Sequence, residues 1–108
     1  MARARELFEL SPRPTAIFTG NDEMAAGVYQ AAREAGLSIP GDLSVVSYDD
    51  SPMAARLFPR LSSVRLPIRE IGKTAAQMLL RNGEGEPSPA APEFEPTLIV
   101  RESAASPG

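Results

Sequence analysis

The sequence contains no cysteine, no histidine and a single lysine, Lys73. Zero cysteines exclude disulfides, thiol nucleophiles and thiolate metal sites, and they are typical of a reducing cytoplasm. Zero histidines remove the commonest general base and the commonest metal ligand. No apolar run approaches the roughly 20 residues that a membrane span needs, and the N-terminus lacks the apolar core of a signal peptide. We therefore expect a cytoplasmic domain with no membrane partner, no metal and no cofactor.

What is present indicates a globular domain. The 108 residues suffice for one modest core, and 43% hydrophobic and 23% charged residues are ordinary proportions. The formal net charge of −3 and the sequence pI of about 4.9 give no basic field that would attract nucleic acid. This composition argues against most kinds of catalysis.

Apolar runs alternate with helical periodicity along the chain. The predicted strands are 15–20, 43–48, 61–66 and 97–101, and the predicted helices are 2–10, 22–35, 52–57 and 67–83. The first two strands are expected to be buried on both faces. The helix 22–35 should bury Met24, Val28, Ala31 and Ala35 and end at Gly36. The alternation predicts an α/β fold with a mostly parallel sheet flanked by helices.

Residues 84–96 hold four prolines and four glutamates, a composition typical of a mobile loop. The last residues, 104–108, are predicted to be a disordered tail.

Two predicted strands end in compact polar pairs, Asn21-Asp22 and Asp49-Asp50. Ligands of open α/β sheets bind beyond the carboxyl ends of strands, so Asn21 and Asp49 are expected to lie close together and face a ligand. An amide and a carboxylate suit a polyhydroxylated or amine-bearing small molecule. Asp and Asn are also favoured helix N-caps, and this structural role is predicted for Asp22 and, with Ser51 as the alternative, for Asp50.

An enzyme is a further alternative, because Asp49-Asp50 after an apolar strand is similar to the acidic pair of a phospho-accepting receiver domain. Such a site needs another aspartate and a lysine on a later strand to hold Mg²⁺ and phosphate. Asp22 could serve as the additional aspartate, but the single lysine, Lys73, lies inside a predicted helix and so cannot be the lysine on a later strand. The sequence therefore favours binding over catalysis, and we expect no catalytic residue.

Three stretches of sequence resemble one family of bacterial transcription factors, the lactose-repressor/galactose-repressor (LacI/GalR) family. They are "PTAIFTGNDEMAAGVYQAAREAGLSIPGDLSVVSYDDSPMA", "FPRLSSVRLPIREIGKTAAQMLL" and "PTLIVRES", in this order. The resemblance implies the C-terminal lobe of a periplasmic-binding-protein-like effector domain over residues 1–103. It implies that the DNA-binding head, the N-terminal lobe and the first strand of this lobe lie outside the sequence.

The resemblance also implies roles for particular residues. The effector, a sugar or related small molecule, would contact Asn21, Asp49, Ile68 and Ile71, although helical spacing alone explains the two isoleucines as core residues. A homodimer or higher oligomer would form through Ala26, Tyr29, Gln30 and Leu57. Operator DNA would be bound only through the missing head. Leu66 and Ser47 depart from the family pattern, which commonly has a polar residue and a glycine there.

A solute-binding protein of a sugar transporter shares this fold and is the alternative function. A signal peptide upstream would favour it, whereas a helix-turn-helix upstream would favour the regulator. By itself, this chain is expected to bind no operator, and to bind effector weakly or not at all because it supplies one wall of the cleft.

Overall fold

The computed structural model of the protein describes residues 2–83 and 94–106. The helices are α1 (Ala2–Phe8), α2 (Asp22–Glu34) and α3 (Ile68–Gly83), and the strands are β1 (Ala16–Phe18), β2 (Ser44–Tyr48), β3 (Ser62–Arg65) and β4 (Thr97–Ile99). This alternation confirms the predicted α/β class. The described residues form two compact units, 2–65 with 98–106 and 66–83 with 94–97. Most of the predicted mobile loop, residues 84–93, lies outside the described residues.

The strands form one sheet in the order β1-β2-β3-β4. β1 pairs with β2 in parallel, with Phe18 opposite Val46, and β2 pairs with β3 in parallel, with Val46 opposite Ser62. Because paired parallel strands run in the same direction, their carboxyl ends lie at one edge of the sheet. This edge carries the polar pairs that follow β1 and β2.

α2 packs against the sheet through a face that shares Val28 and Ala31 with the predicted one. Its buried apolar residues are Ala25, Val28, Tyr29, Ala31 and Ala32. Most of them follow the i, i+3, i+4, i+7 spacing of a helix stripe that starts at residue 25. The prediction had started the stripe one residue earlier, so it was wrong for Met24, which is 58% exposed, and for Ala35, which is also exposed.

The end of α2 is as predicted. Gly36 has a φ of +74°, a left-handed conformation that glycine adopts without the usual steric cost. The Leu37 N–H then donates to the Ala32 carbonyl at 2.8 Å, which satisfies one of the last carbonyls of the helix.

The burial of the first two strands was predicted correctly for β2 only. Ser44, Val45 and Ser47 of β2 are buried, whereas Phe18 of β1 is 63% exposed. β1 stands at an end of the strand order, so the side chains of a neighbouring strand flank Phe18 on one side only. The prediction that β1 is buried on both faces is wrong.

After β2 the chain forms one short 3-10 helix at Pro52–Ala55, which is shorter than the predicted helix reaching Leu57. It buries Ala54, and the Leu61 N–H donates to the Ala54 carbonyl at 2.9 Å. This compact connection leads the chain from β2 into β3.

Residues after β4 are joined to the sheet by a buried serine. Ser103 is fully buried, and its Oγ accepts from the Ser62 N–H at 2.8 Å and donates to the Val45 carbonyl. The Val45 N–H in turn donates to the Ser103 carbonyl at 2.9 Å. Ser103 therefore connects the beginnings of β2 and β3 through hydrogen bonds. Within the described residues, none of the helices has the length and apolar character that a bilayer span requires.

Candidate functional site

Asn21 lies directly before α2 and is the residue that caps this helix. Its Oδ1 accepts a hydrogen bond of 2.8 Å from the Met24 N–H, and its backbone is extended. The residue is exposed, and an amide also carries two donors on its nitrogen. Asn21 thus combines a structural role with a polar group near solvent, while its effector contact stays a prediction.

Asp22, predicted to be the helix cap, has a different role. It is the first residue of α2, only 1% exposed, and its carboxylate accepts three hydrogen bonds. Two come from the Ser51 N–H (2.6 Å) and Oγ (2.8 Å), and the third comes from the Ser63 Oγ (2.9 Å). The prediction of a cap at Asp22 is wrong because its partners lie 29 and 41 residues further along the chain, out of reach of any local pattern.

Asp49 follows β2 and is exposed, with a φ of +124° that non-glycine residues rarely adopt. Its N–H donates to the Val64 carbonyl at 2.8 Å. The register pairs Phe18 with Val46, and Asn21 and Asp49 each stand three positions beyond that pair (18 to 21 and 46 to 49). The structure therefore brings both residues to the same edge of the sheet.

The side chain of Asp50 is buried, in contrast to that of its neighbour Asp49. Its side chain is 3% exposed, with Oδ2 accepting from Arg65 Nε at 2.7 Å and Oδ1 lying 2.8 Å from Arg101 Nη1. Burial raises the pKa of Asp50, but the hydrogen bonds and charges of Arg101 and Arg65 outweigh it and hold the pKa below its ordinary value. Asp50 is therefore not the predicted cap. Ser51 takes the cap position before Pro52, without a side-chain hydrogen bond to the helix.

These contacts separate the four polar residues into two classes. Asn21 and Asp49 are exposed and can form hydrogen bonds with the hydroxyl groups of a ligand. The side chains of Asp22 and Asp50 are buried and already paired with protein groups. Across 2–83 and 94–106, no three residues among Asp, Glu, His and Cys converge in a way that could hold a metal ion. The arrangement is suited to binding a polar small molecule.

The other two predicted effector residues, Ile68 and Ile71, lie in the first turn of α3. Ile68 is 60% exposed, and Ile71 is partly buried with its N–H bonded to the Pro67 carbonyl at 2.9 Å. α3 belongs to the second compact unit, and the contact of these isoleucines with an effector stays a prediction.

The four predicted interface residues line one groove of about 400 Å³, which we call the α2 groove. Its lining consists of Ala26, Tyr29, Gln30, Arg33, Glu34, Leu57 and Phe58. Phe58 is 91% exposed and stands at the end of the segment 53–58, which the family resemblance assigns to the dimer interface. This interface role stays a prediction.

Tyr29 lines the α2 groove, and its hydroxyl group is engaged inside the protein. The residue is 6% exposed, and its hydroxyl donates to the Pro59 carbonyl at 2.8 Å. Burial raises the pKa of Tyr29 to about 12, a shift that the Ser103 hydrogen bond reduces and the charge of Glu102 increases. This phenol therefore stays neutral at physiological pH.

Comparison with known proteins defines the class of this fold. Residues 1–104 match the family described as periplasmic binding protein-like domain. The lactose operon repressor of Rhizobium radiobacter is 42% identical over 105 residues, which cover 97% of this chain and 93% of that one. The ribose operon repressor of Haemophilus influenzae is 41% identical over 100 residues, which cover 92% of this chain and 30% of that one.

Solved structures give the same result. A LacI family transcriptional regulator from Bifidobacterium animalis subsp. lactis is 34% identical with a TM-score of 0.94, covering 99% of this chain and 40% of that one. A LacI family regulator from Lactobacillus casei with bound glucose has 33% identity and a TM-score of 0.75, covering 95% and 37%. The dimeric lac repressor has 28% identity and a TM-score of 0.88, covering 99% and 39%. The chain belongs to the LacI family and spans about two fifths of these structures.

Proposed function

We propose that this chain forms part of the effector-binding domain of a bacterial transcriptional regulator, and that a small sugar-type effector binds at Asn21 and Asp49. One observation carries the proposal: both residues are exposed at the same edge of the sheet while the acidic residues beside them are buried. Relatives named as lactose and ribose operon repressors, and a similar structure with bound glucose, support a sugar as the ligand class.

The proposed output is control of operator DNA binding, through a part of the regulator other than these 108 residues. The formal charge of −3 supports this division, because DNA contact depends on basic surface. Such a regulator acts by binding and not by catalysis, and it acts in the cytoplasm, where its operator lies. The names of the relatives favour this function over a transporter's solute-binding protein, which shares the fold.

We also propose that copies of the protein associate through the α2 groove. The groove joins the predicted residues Ala26, Gln30 and Leu57 to the exposed ring of Phe58, and a similar structure is a dimeric repressor. Exposed aromatic side chains flanked by polar residues are typical anchors of protein interfaces.

The effector proposal is tested by titrating the chain with glucose while following backbone amide signals by NMR, a method that detects weak binding. We expect the shifts to concentrate at Asn21 and Asp49. Asp49→Asn should raise the Kd at least about 10-fold, because a hydrogen bond to a charged group contributes about 1.5–3 kcal/mol and each 1.4 kcal/mol is tenfold. Glu23→Gln is the matched control, since it removes an exposed carboxylate from the first turn of α2 and should leave the Kd unchanged.

Ribose and lactose are titrated in parallel, because the sugar is not identified. Shifts at the edge with any of the three sugars would support the proposal. Shifts that avoid Asn21 and Asp49, or an equal loss of affinity in Asp49→Asn and Glu23→Gln, would refute it.

A further inference from the structure

A buried carboxylate connects the beginning of α2 to the segment that follows β2. Asp22 is 1% exposed, and both of its oxygens accept hydrogen bonds from that segment or from β3. A buried carboxylate is costly unless donors surround it, and here Ser51 supplies two donors and Ser63 one. Asp22 is adjacent in sequence to Asn21, so this carboxylate fixes the backbone position from which the Asn21 side chain projects.

Ser63 is the residue at which the two polar pairs meet. It is fully buried in β3, and its Oγ donates to Asp22 Oδ1 at 2.9 Å and accepts from the Asp50 N–H at 2.9 Å. A hydroxyl group has one donor, so its orientation here is set by Asp22, and the Asp50 N–H fills one of its acceptor sites. One side chain thus connects the residue after Asn21 to the residue after Asp49.

The segment after β2 needs such support because its backbone is strained. Asp49 and Asp50 are consecutive non-glycine residues with positive φ angles, +124° and +52°. Backbone conformations of this kind cost energy and persist only where several contacts with the surrounding structure hold them in place, and they cluster at functional sites. The Asp50 N–H is held by Ser63, and its carboxylate is held between two arginines.

We propose that Asp22 and Ser63 are positioning residues, which hold Asn21 and Asp49 in one fixed relative geometry before any ligand arrives. The role as effector positioning rests on the proposed function, whereas the geometry is a property of the unliganded chain. A site held this way binds with less loss of conformational entropy than one whose two halves move independently.

The test uses native-state hydrogen exchange of the full 108-residue chain, read by NMR without ligand. The Met24 amide reports on the Asn21 side chain, to which it donates, and the Asp49 amide reports on the strained segment. The Val45 amide, bonded to the Ser103 carbonyl, serves as the reference for general destabilisation. We expect Ser63→Ala to reduce protection of Met24 and Asp49 at least 10-fold more than protection of Val45.

Ser62→Ala is the matched control. Ser62 is the preceding residue of β3, equally buried, and successive residues of a strand face opposite sides of the sheet. Its Oγ accepts from the Arg101 N–H and takes no part in the contact with Asp22. This variant should reduce protection of Val45 at least as much as that of Met24 and Asp49, because Ser62 holds Arg101 and the partner of the Val45 amide, Ser103, is two residues further on. Ser63→Thr, which keeps the hydroxyl, should restore the parent pattern.

Equal loss of protection at Met24, Asp49 and Val45 in Ser63→Ala would overturn the proposal. If Ser63→Ala does not fold, Asp22→Asn decides, since it keeps the side-chain shape but replaces one accepting oxygen with a donor. It should reduce protection at the same two amides. In the presence of glucose, Ser63→Ala should also raise the Kd about 10-fold. A parent chain that shows no shifts at Asn21 and Asp49 with glucose, ribose or lactose would refute the proposed function, while the exchange data would still decide the positioning.

Discussion

The two roles of Asn21, helix cap and effector contact, can be separated by comparing two substitutions. Asn21→Ala removes the Oδ1 that accepts the 2.8 Å hydrogen bond from Met24. Loss of an N-cap typically costs about 1 kcal/mol, and for a domain of this size 1 kcal/mol lowers Tm by about 4–8 °C. Asn21→Ser keeps an oxygen that caps equally well and adds no charge, so its Tm should stay within about 2 °C of the parent.

Glucose binding is expected to be lost in both variants, because it depends on the amide group and not on the cap. Both variants lack the amide, so both should lose the glucose-induced shifts at Asp49, although only Asn21→Ala is destabilised. Thermal unfolding followed by circular dichroism measures the first effect, and NMR titration measures the second. Retained glucose binding in Asn21→Ser would refute the effector contact, and an unchanged Tm in Asn21→Ala would refute the cap.

Two further predictions concern the α2 groove. The chain has no tryptophan, and in a Tyr48→Phe variant Tyr29 is the sole tyrosine, so absorbance at 295 nm reports on Tyr29 alone. This absorbance should titrate with a midpoint near pH 12, compared with about 10 for an exposed phenol. Because the folded-state pKa is raised, the stabilisation that this shift contributes, on the order of 3 kcal/mol, is complete below about pH 10 and is lost as pH rises towards 12. A midpoint near 10 in the folded chain would contradict this. Phe58→Asp should shift the chain towards monomer in sedimentation velocity, because it places a charge in the α2 groove. Phe18→Asp, which places a charge on the exposed face of β1, should leave the oligomeric state unchanged. Dissociation by Phe18→Asp and not by Phe58→Asp would show that association occurs at the edge strand β1 instead.

The sequence was sufficient to predict the class of the fold and most of its elements. Periodicity located α2 and β2, and Gly36 marked the end of the helix, because these signals depend on residues close together in the chain. It was also sufficient to place Asn21 and Asp49 at one edge, since parallel pairing of successive strands follows from the alternation.

The roles of the aspartates could not be predicted in the same way. Asn21 and Asp22 are both good helix caps by residue type, and the choice between them is made by Ser51 and Ser63, which are distant in sequence. The burial of Asp50 depends likewise on Arg101, which follows the last strand. Exposure of Phe18 depends on how many strands flank β1, which no local pattern records.

The attachment of Ser103 to the beginnings of β2 and β3 has a consequence for the order of folding. Its hydroxyl contacts the Val45 carbonyl across 58 positions of sequence, and the Ser62 N–H across 41. Arg101 reaches Asp50 over a similar span. During synthesis, α2, β2 and β3 all leave the ribosome before these two residues do. Until then, Asp50 lacks its contact with Arg101, and the Val45 carbonyl lacks its hydrogen bond from Ser103. Contacts of such long range slow folding, and in a nascent chain that ends before residue 101 Arg65 alone pairs with the Asp50 carboxylate, at the edge proposed to bind effector.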